Sequence, residues 1–263
     1  MQRGRTRQVF TRQHHDGASS RRPDEVIVEE PLTIRLDDTT VATTMRTPGH
    51  DFELAAGFCL TDGQLDGAKV DTIRYCGTGS AVETEFNTVS VETGGSGTPR
   101  PRMGNVSSSC GLCGSEAIDD LRARIHPLHE PQHFDVDVLV EVAAKMTVEQ
   151  DLFARTGAAH GAAVFHHDGS IGVVREDIGR HNAVDKVIGR LLLDGSLPNA
   201  DAGLFVSGRA SFEMVQKAWA GGFSCLLAVS APSSLAVDAA RASRMQLAGF
   251  VRDTRINIYA PDA

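Results

Sequence analysis

The sequence has no apolar run that approaches the roughly 20 residues needed to cross a lipid bilayer. Residues 1–22 also have no apolar core, and their six arginines and one aspartate do not resemble an export signal. We therefore expect neither a membrane protein nor a secreted one. The expected location is the cytoplasm.

Cysteine is scarce as well, because the chain has five cysteines, an odd number. Without an export signal, structural disulfides are not expected. Cys59 and Cys225 lie in apolar runs, which predicts that both are small buried core residues. Cys76 follows a predicted strand, and its role stays open.

Most of the chain has no excess of basic over acidic residues. The net charge is −8, and removing the +5 of residues 1–22 leaves −13 for the remainder. A body this acidic argues against nucleic-acid binding, which needs a basic face. Residues 1–24 predict a disordered basic tail, because they contain too few apolar residues to pack. A contact for an acidic partner is the alternative.

From residue 25 onward the pattern is that of an α/β protein. Residues 25–109 predict a smaller, mainly β N-terminal part, an α+β domain that ends in a flexible loop rich in glycine and proline. Residues 110–134 predict a cysteine loop and a connecting helix. Residues 135–263 alternate helices with short apolar strands, which predicts a layered α/β domain around a largely buried sheet. The first of these helices is predicted over residues 136–155, with Phe153 on its inner stripe.

The two cysteines of Cys110-Gly111-Leu112-Cys113 directly follow the flexible loop. If a helix begins near Ser115, its positive end favours a thiolate at Cys113. The spacing leaves four interpretations open: half of a zinc site, a thioredoxin-like redox pair, a nucleophilic or persulfide-bearing cysteine on a mobile loop, and inert loop cysteines.

Polar residues gather where three predicted strands end and helices begin. These candidate ligand-binding residues are Arg180 and His181 at the first junction, Ser207 and Arg209 at the second, and Ser230 at the third. In open α/β sheets ligands bind at this edge, and the N–H groups of helix starts hold phosphate. The three junctions together predict a cleft for an anionic ligand. A charge network that only fixes the strand–helix corner is the alternative for the first junction.

Long motifs, in a fixed order, carry a resemblance to a known family. They are Glu30-Pro31-Leu32, Met45-Arg46-Thr47-Pro48-Gly49-His50-Asp51, Ser109-Cys110-Gly111-Leu112-Cys113-Gly114, Glu176-Asp177-Ile178-Gly179-Arg180-His181-Asn182-Ala183-Val184-Asp185-Lys186, Ser207-Gly208-Arg209 and Ser230-Ala231-Pro232-Ser233. Over nearly its whole length the chain resembles the formate dehydrogenase accessory sulfurtransferases, the FdhD family.

The resemblance implies a sulfurtransferase that works as a persulfide carrier. Such proteins accept sulfur from a cysteine desulfurase and transfer it to the bis(molybdopterin guanine dinucleotide) cofactor, which formate dehydrogenase requires for activity. Cys110 would carry the persulfide and Cys113 would assist. Family members form homodimers. The alternative function is a non-catalytic cofactor-binding chaperone for formate dehydrogenase.

The resemblance also implies a C-terminal domain similar to the cytidine deaminase fold and a nucleotide contact near the C-terminus. That contact maps to Phe250, Val251, Arg252, Asp253, Thr254 and Arg255. The deaminase zinc is not expected, because Cys110-x-x-Cys113 lacks the preceding proline and His160-Gly161-Ala162 lacks the glutamate of that signature. No structural metal, nucleic-acid partner or membrane partner is expected.

Overall fold

The computed structural model describes residues 4–76, 85–101, 118, 119, 121, 123, 125–252 and 254–261. The strands are β1 (Thr6–His15), β2 (Ala18–Ile27), β3 (Glu30–Leu36), β4 (Thr39–Arg46), β5 (Thr72–Tyr75), β6 (Thr88–Glu92), β7 (His160–Phe165), β8 (Ile171–Asp177), β9 (Gly203–Val206), β10 (Cys225–Ala228), β11 (Gln246–Arg252) and β12 (Arg255–Ala260). The helices are α1 (Asp51–Thr61), α2 (Val136–Glu149), α3 (Asp151–Thr156), α4 (Arg180–Leu193), α5 (Phe212–Ala220) and α6 (Ser234–Ser243). Cys110, Cys113 and Asp253 lie outside the described residues.

The larger sheet has the strand order β12-β11-β10-β9-β7-β8. Strands β9, β10 and β11 are parallel, whereas β7 is antiparallel to both β9 and β8. Successive strand residues point to opposite faces, so Leu204 packs with the cluster that includes α4, α5 and α6, and Phe205 packs with the cluster that includes α2. Helices cover both faces of the sheet, which confirms the predicted layered α/β class.

The smaller sheet has the order β4-β3-β6-β5 and packs against α1. Leu32, Ile34 and Leu36 alternate along β3 and are all buried, as a half-buried strand requires. Cys59 lies in this core, and burial raises the pKa of its thiol to about 12. Cys225 is equally buried, in β10 of the larger sheet. The prediction that both are core cysteines is confirmed.

Helices α1 and α4 join the two halves of the chain by direct backbone contact. A Cβ atom on Gly57 would lie 1.9 Å from the carbonyl oxygen of Asp185, and one on Gly189 would lie 1.8 Å from that of Glu53. Only glycine fits at such an approach. Glu53 also accepts two hydrogen bonds from Arg175, at 2.5 and 2.8 Å, which link α1 to β8.

The single helix predicted over residues 136–155 is wrong, because the chain breaks at Gln150 between α2 and α3. Gln150 has φ −93° and ψ 74°, and its side-chain amide donates to the carbonyl of Met146 at 2.9 Å. The Glu176 carboxylate then accepts the N–H groups of Leu152 and Phe153, both at 2.8 Å, at the start of α3. The break turns Phe153 outward, to 48% exposure, so its predicted inner position is also wrong.

Residues 1–24 were predicted to form a disordered tail, and the structure differs. Strands β1 and β2 pair antiparallel over ten residues each, from Thr6–Ile27 to His15–Ala18, and form a projecting hairpin that we name the arm. The root of the arm is tied to the body by Arg155, which donates to Glu25 and to Thr6. Backbone pairing does not need apolar side chains, so composition alone was a poor guide here.

In the described part of the chain, no helix combines the length and apolar character needed to cross a membrane.

Candidate functional site

The three predicted junctions meet at one edge of the larger sheet. Strand β8 runs in the same direction as β9 and β10, because both β8 and β9 are antiparallel to β7. Their carboxyl ends therefore open into one cleft of about 580 Å³. The residues lining it are Arg180, Arg209, Ala210, Ser211, Phe212, Glu213, Ala231, Pro232, Ser233 and Leu235. The three junctions therefore share one cleft, with Arg180 and Arg209 in its lining, and its use by an anionic ligand stays a prediction.

Backbone hydrogen bonds hold the loops of the second and third junctions against each other. The N–H of Ser230 donates to the carbonyl of Gly208 at 3.2 Å, and that of Ser233 donates to Ala210 at 3.0 Å. The Ser207 hydroxyl accepts the N–H of Gly161 at 2.9 Å, which ties β7 to β9. Ser207 and Ser230 thus shape the cleft edge without lining the cleft itself.

Donor atoms without partners point to an anionic ligand for the cleft. Within the described residues, the buried Arg180 Nε and Ser211 Oγ have no hydrogen-bond partner. Leaving a buried donor unpaired costs about 1–3 kcal/mol, so each atom gains when a shift of its side chain brings an acceptor within hydrogen-bond distance. Helices α4 and α5 also begin here, and their first N–H groups favour negative charge. Arg209 adds an exposed guanidinium at the rim.

His181 lies beside the carboxylate of Glu213, a contact that the sequence did not predict. Its Nε2 lies 2.5 Å from Oε2 of Glu213, and about a quarter of each side chain is exposed. Both residues also line a smaller cavity of about 40 Å³, with Lys217 and Asp185, and Glu213 lines the cleft as well. Glu213 sits in the first turn of α5, where an acidic residue is common, so nothing local indicated its contact with α4.

His160, at the start of β7, adds a titratable group to the same corner. Burial lowers the pKa of His160, and the charges of Arg180 and His181 lower it further, while Asp177 opposes the shift. Its imidazole also lies near Gly208, because a Cβ there would be 3.7 Å from His160 Nδ1. Arg180 and Arg209 give the cleft lining two cations beside the Glu213 carboxylate, and the lowered pKa of the neighbouring His160 favours its neutral form.

The predicted contact of residues 250–255 is only partly at the cleft. Phe250 is 46% exposed with φ 53°, a rare conformation for an aromatic residue, and its N–H donates to Ser230 at the cleft edge. Val251 is buried in the core cluster with Phe134, so its side chain is not available to a ligand and the contact predicted there is limited to its backbone. Arg252 and Arg255 are exposed and face each other across the β11–β12 pairing, with Thr254 exposed between them. The predicted Asp253 lies outside the described residues.

Comparison with known proteins decides the family. The sequence pattern of the FdhD/NarQ family matches residues 27–263. The chain belongs to the FdhD/NarQ family. A protein of Streptomyces avermitilis named sulfur carrier protein FdhD is 45% identical over 256 residues, covering 93% of this chain and 90% of the relative. The protein of that name from Streptomyces coelicolor is 44% identical over 259 residues, with the same coverage of both chains.

The FdhD/NarQ fold is also present in a solved structure. A crystal structure described as a formate dehydrogenase accessory protein from Desulfotalea psychrophila matches with a TM-score of 0.75 at 23% identity, covering 97% of each chain. At this identity the match concerns the fold alone. The similarity of the C-terminal domain to cytidine deaminases stays a prediction, as do the predicted roles of Cys110 and Cys113.

Proposed function

We propose that this FdhD/NarQ protein is a sulfur carrier in the cytoplasm that serves formate dehydrogenase. It accepts persulfide sulfur from a cysteine desulfurase and transfers it to bis(molybdopterin guanine dinucleotide). The observation that carries the proposal is the cleft at the ends of β8, β9 and β10, with its arginines and unpaired donors, in a chain whose relatives are named sulfur carriers. The acting species is a homodimer.

The acceptor fits the chemistry of the cleft. A guanine dinucleotide carries phosphates, and Arg180, Arg209 and the start of α5 offer the fork-shaped guanidinium and N–H donors that phosphates take. A volume of about 580 Å³ is within the range of small-molecule sites. The exposed ring of Phe250 at the edge of the cleft offers a stacking surface for a base. The chain outside residues 1–22 is acidic overall, so an anion needs a place where hydrogen-bond donors and arginines are concentrated locally.

The sulfur is carried on Cys110 in this proposal. The Cys110 thiolate attacks the outer sulfur of the desulfurase persulfide, a new sulfur–sulfur bond forms on Cys110, and the desulfurase cysteine leaves as a thiolate. Cys59 and Cys225 are unsuited to this step, because burial raises the pKa of both thiols and keeps them away from a second protein. Cys113 assists Cys110.

Mass measurement of the intact protein tests the proposal. After incubation with a cysteine desulfurase and cysteine, the wild-type chain should gain the mass of a sulfur atom, and reductant should remove it. Cys110→Ala should not load, whereas Cys225→Ala, a change in the core, should load normally. In cells that depend on this chain, Cys110→Ala should abolish formate dehydrogenase activity. Normal loading and normal activity of Cys110→Ala contradict the proposal.

The same experiment separates the cofactor-binding chaperone from the carrier. A chaperone binds guanine nucleotide in the cleft and supports formate dehydrogenase without any persulfide on the chain. Nucleotide binding together with absence of sulfur loading would favour it. Metal analysis of the purified protein tests the zinc interpretation of Cys110 and Cys113, since a structural site holds close to one equivalent.

A further inference from the structure

The arm formed by β1 and β2 extends far beyond the residues that tie it to the rest of the chain. Ten paired residues per strand span about 33 Å. Hydrogen bonds tie the arm to the body at its root, where Arg155 binds Glu25 and Arg5 donates to the carbonyl of Glu176 at 3.1 Å. Residues 12–24 are exposed on both faces. An isolated two-stranded hairpin is only marginally stable in water, so the outer arm needs a surface to pack on.

One face of the arm combines two cations with an aromatic ring. Arg12 pairs directly with Arg21 across the strands, and Phe10, two residues before Arg12, points to the same side. The Arg21 guanidinium lies 4.2 Å from the centre of the Phe10 ring, which is itself 67% exposed. Like charges placed directly opposite each other destabilise a hairpin. A surface with carboxylates removes that repulsion, and we name Phe10, Arg12 and Arg21 the basic face.

A matching surface lies on the outer side of α2. Asp137, Glu141, Ala144 and Val148 follow each other at spacings of four, three and four residues, which places them in one stripe, and all are exposed. We name these four residues the acidic strip. Val148 is 82% exposed, the largest value among the exposed large apolar side chains of the described residues. Lys145, beside the strip, is held by Glu141 at 2.7 Å and by the carbonyl of Gly169.

The two surfaces agree in length and chemistry. Helix α2 is about 21 Å long at roughly 1.5 Å per residue, and the outer half of the arm is of similar length. Two carboxylates and the exposed Val148 on the strip meet two guanidinium groups and one ring on the basic face, and Glu141 then shares its carboxylate between Lys145 and an arginine.

We propose that the arm is an exchange arm, whose basic face docks on the acidic strip of a second copy of this chain. Arm and strip are neighbours within one copy, since α3 ties the arm root through Arg155 and α2 ends at Glu149, two residues before α3 begins. The outer arm is nevertheless exposed rather than packed on its own strip. In a pair related by twofold symmetry, each arm reaches the strip of the other copy, and both contacts form at once.

Sedimentation velocity on the full chain, over a range of concentration and salt, tests the proposal without reference to sulfur transfer. The wild type should form a dimer that weakens as salt rises. Arg12→Glu with Arg21→Glu should weaken the dimer at least tenfold, and so should Asp137→Arg with Glu141→Arg, which leaves the arm untouched. Combining all four substitutions should restore the dimer, because the charges are exchanged.

A control with the same change in net charge as Arg12→Glu with Arg21→Glu is Lys69→Glu with Arg244→Glu, two exposed positions outside arm and strip. This variant should keep the wild-type dimer, and thermal unfolding followed by circular dichroism verifies that every variant is folded. A monomeric wild type at tens of micromolar overturns the proposal. A dimer whose affinity does not change on charge reversal also overturns it and shows that the arm binds something else. So does a fourfold variant that dimerises as weakly as the two double variants.

Discussion

Lys186 Nζ lies 2.6 Å from Asp177 Oδ2, and both side chains are completely buried. The pair joins the two halves of the chain, because Lys186 also donates to the carbonyl of Thr47 at 2.9 Å and the N–H of Thr47 donates to Asp177 at 3.1 Å. Asp177 further accepts from Gly179 and Asn182, at 2.8 and 3.0 Å. Every charge in this network is matched by donors or acceptors, as burial demands.

Removing the lysine from this pair should be costly. Lys186→Met leaves the Asp177 carboxylate buried without its cation, and we expect the free energy of unfolding to fall by about 3–5 kcal/mol. Urea unfolding measures the change. Lys145→Met is the control, because that ion pair with Glu141 is 41% exposed on the lysine side and is worth at most about 1 kcal/mol. Equal losses in the two variants would show that burial of the pair is not what matters.

The backbone contact of α1 and α4 gives a second prediction. Replacing glycine by alanine inside a helix normally stabilises it by about 1 kcal/mol. Gly57→Ala, however, places a Cβ 1.9 Å from the carbonyl oxygen of Asp185. We expect a net loss of about 3 kcal/mol in urea unfolding, or failure to accumulate as folded protein. Gly172→Ala is the control, since its Cβ would meet atoms no closer than 3.4 Å. A stability gain in Gly57→Ala would contradict the geometry.

Sequence periodicity predicted the layers of the larger domain and the edge at which its polar junctions meet, because strand direction and helix starts follow local rules. Periodicity failed where a residue far away in the sequence determines the local structure. The break at Gln150 depends on Glu176, whose carboxylate caps α3 at N–H groups that lie 24 and 23 residues earlier in the chain. The contact of Glu213 with His181 depends on how α5 packs beside α4. The two residues of each pair are too far apart along the chain to lie in one local stretch of sequence.

The N-terminal arm shows a different limit of prediction. Its residues are too polar to form a core, which is why composition predicted disorder. A hairpin satisfies its backbone by pairing across strands, and the Asp16-Gly17 turn, both residues with positive φ, matches the type of turn that joins such strands. The dipeptide was a usable local indication of a hairpin.

The pH dependence of stability should report on His160. Because burial and the neighbouring Arg180 and His181 lower its pKa below the unfolded value of 6.5, the unfolded chain binds more protons than the folded chain in that window. Stability is then complete above about pH 6.5 and is lost as pH falls through the folded pKa. Urea unfolding from pH 5 to pH 8 should show a smaller acid loss for His160→Gln than for the wild type.

The control for this measurement is the exposed His129. His129→Gln should keep the wild-type acid loss, since the substitution removes a group outside the cleft. If His160→Gln and the wild type lose the same stability between pH 7 and pH 5, the lowered pKa of His160 has no thermodynamic consequence.

Binding of guanosine diphosphate tests the anion cleft apart from any sulfur chemistry. Arg209→Ala removes a guanidinium from the rim, and a hydrogen bond to a charged group contributes about 1.5–3 kcal/mol, so affinity measured by calorimetry should fall about tenfold or more. Rising salt should weaken the wild type more than the variant. Arg74→Ala, which removes a 57% exposed arginine paired with Glu92 on β6, should bind like the wild type. Unchanged affinity in Arg209→Ala, with Arg180→Ala also unchanged, would place the nucleotide elsewhere on the molecule.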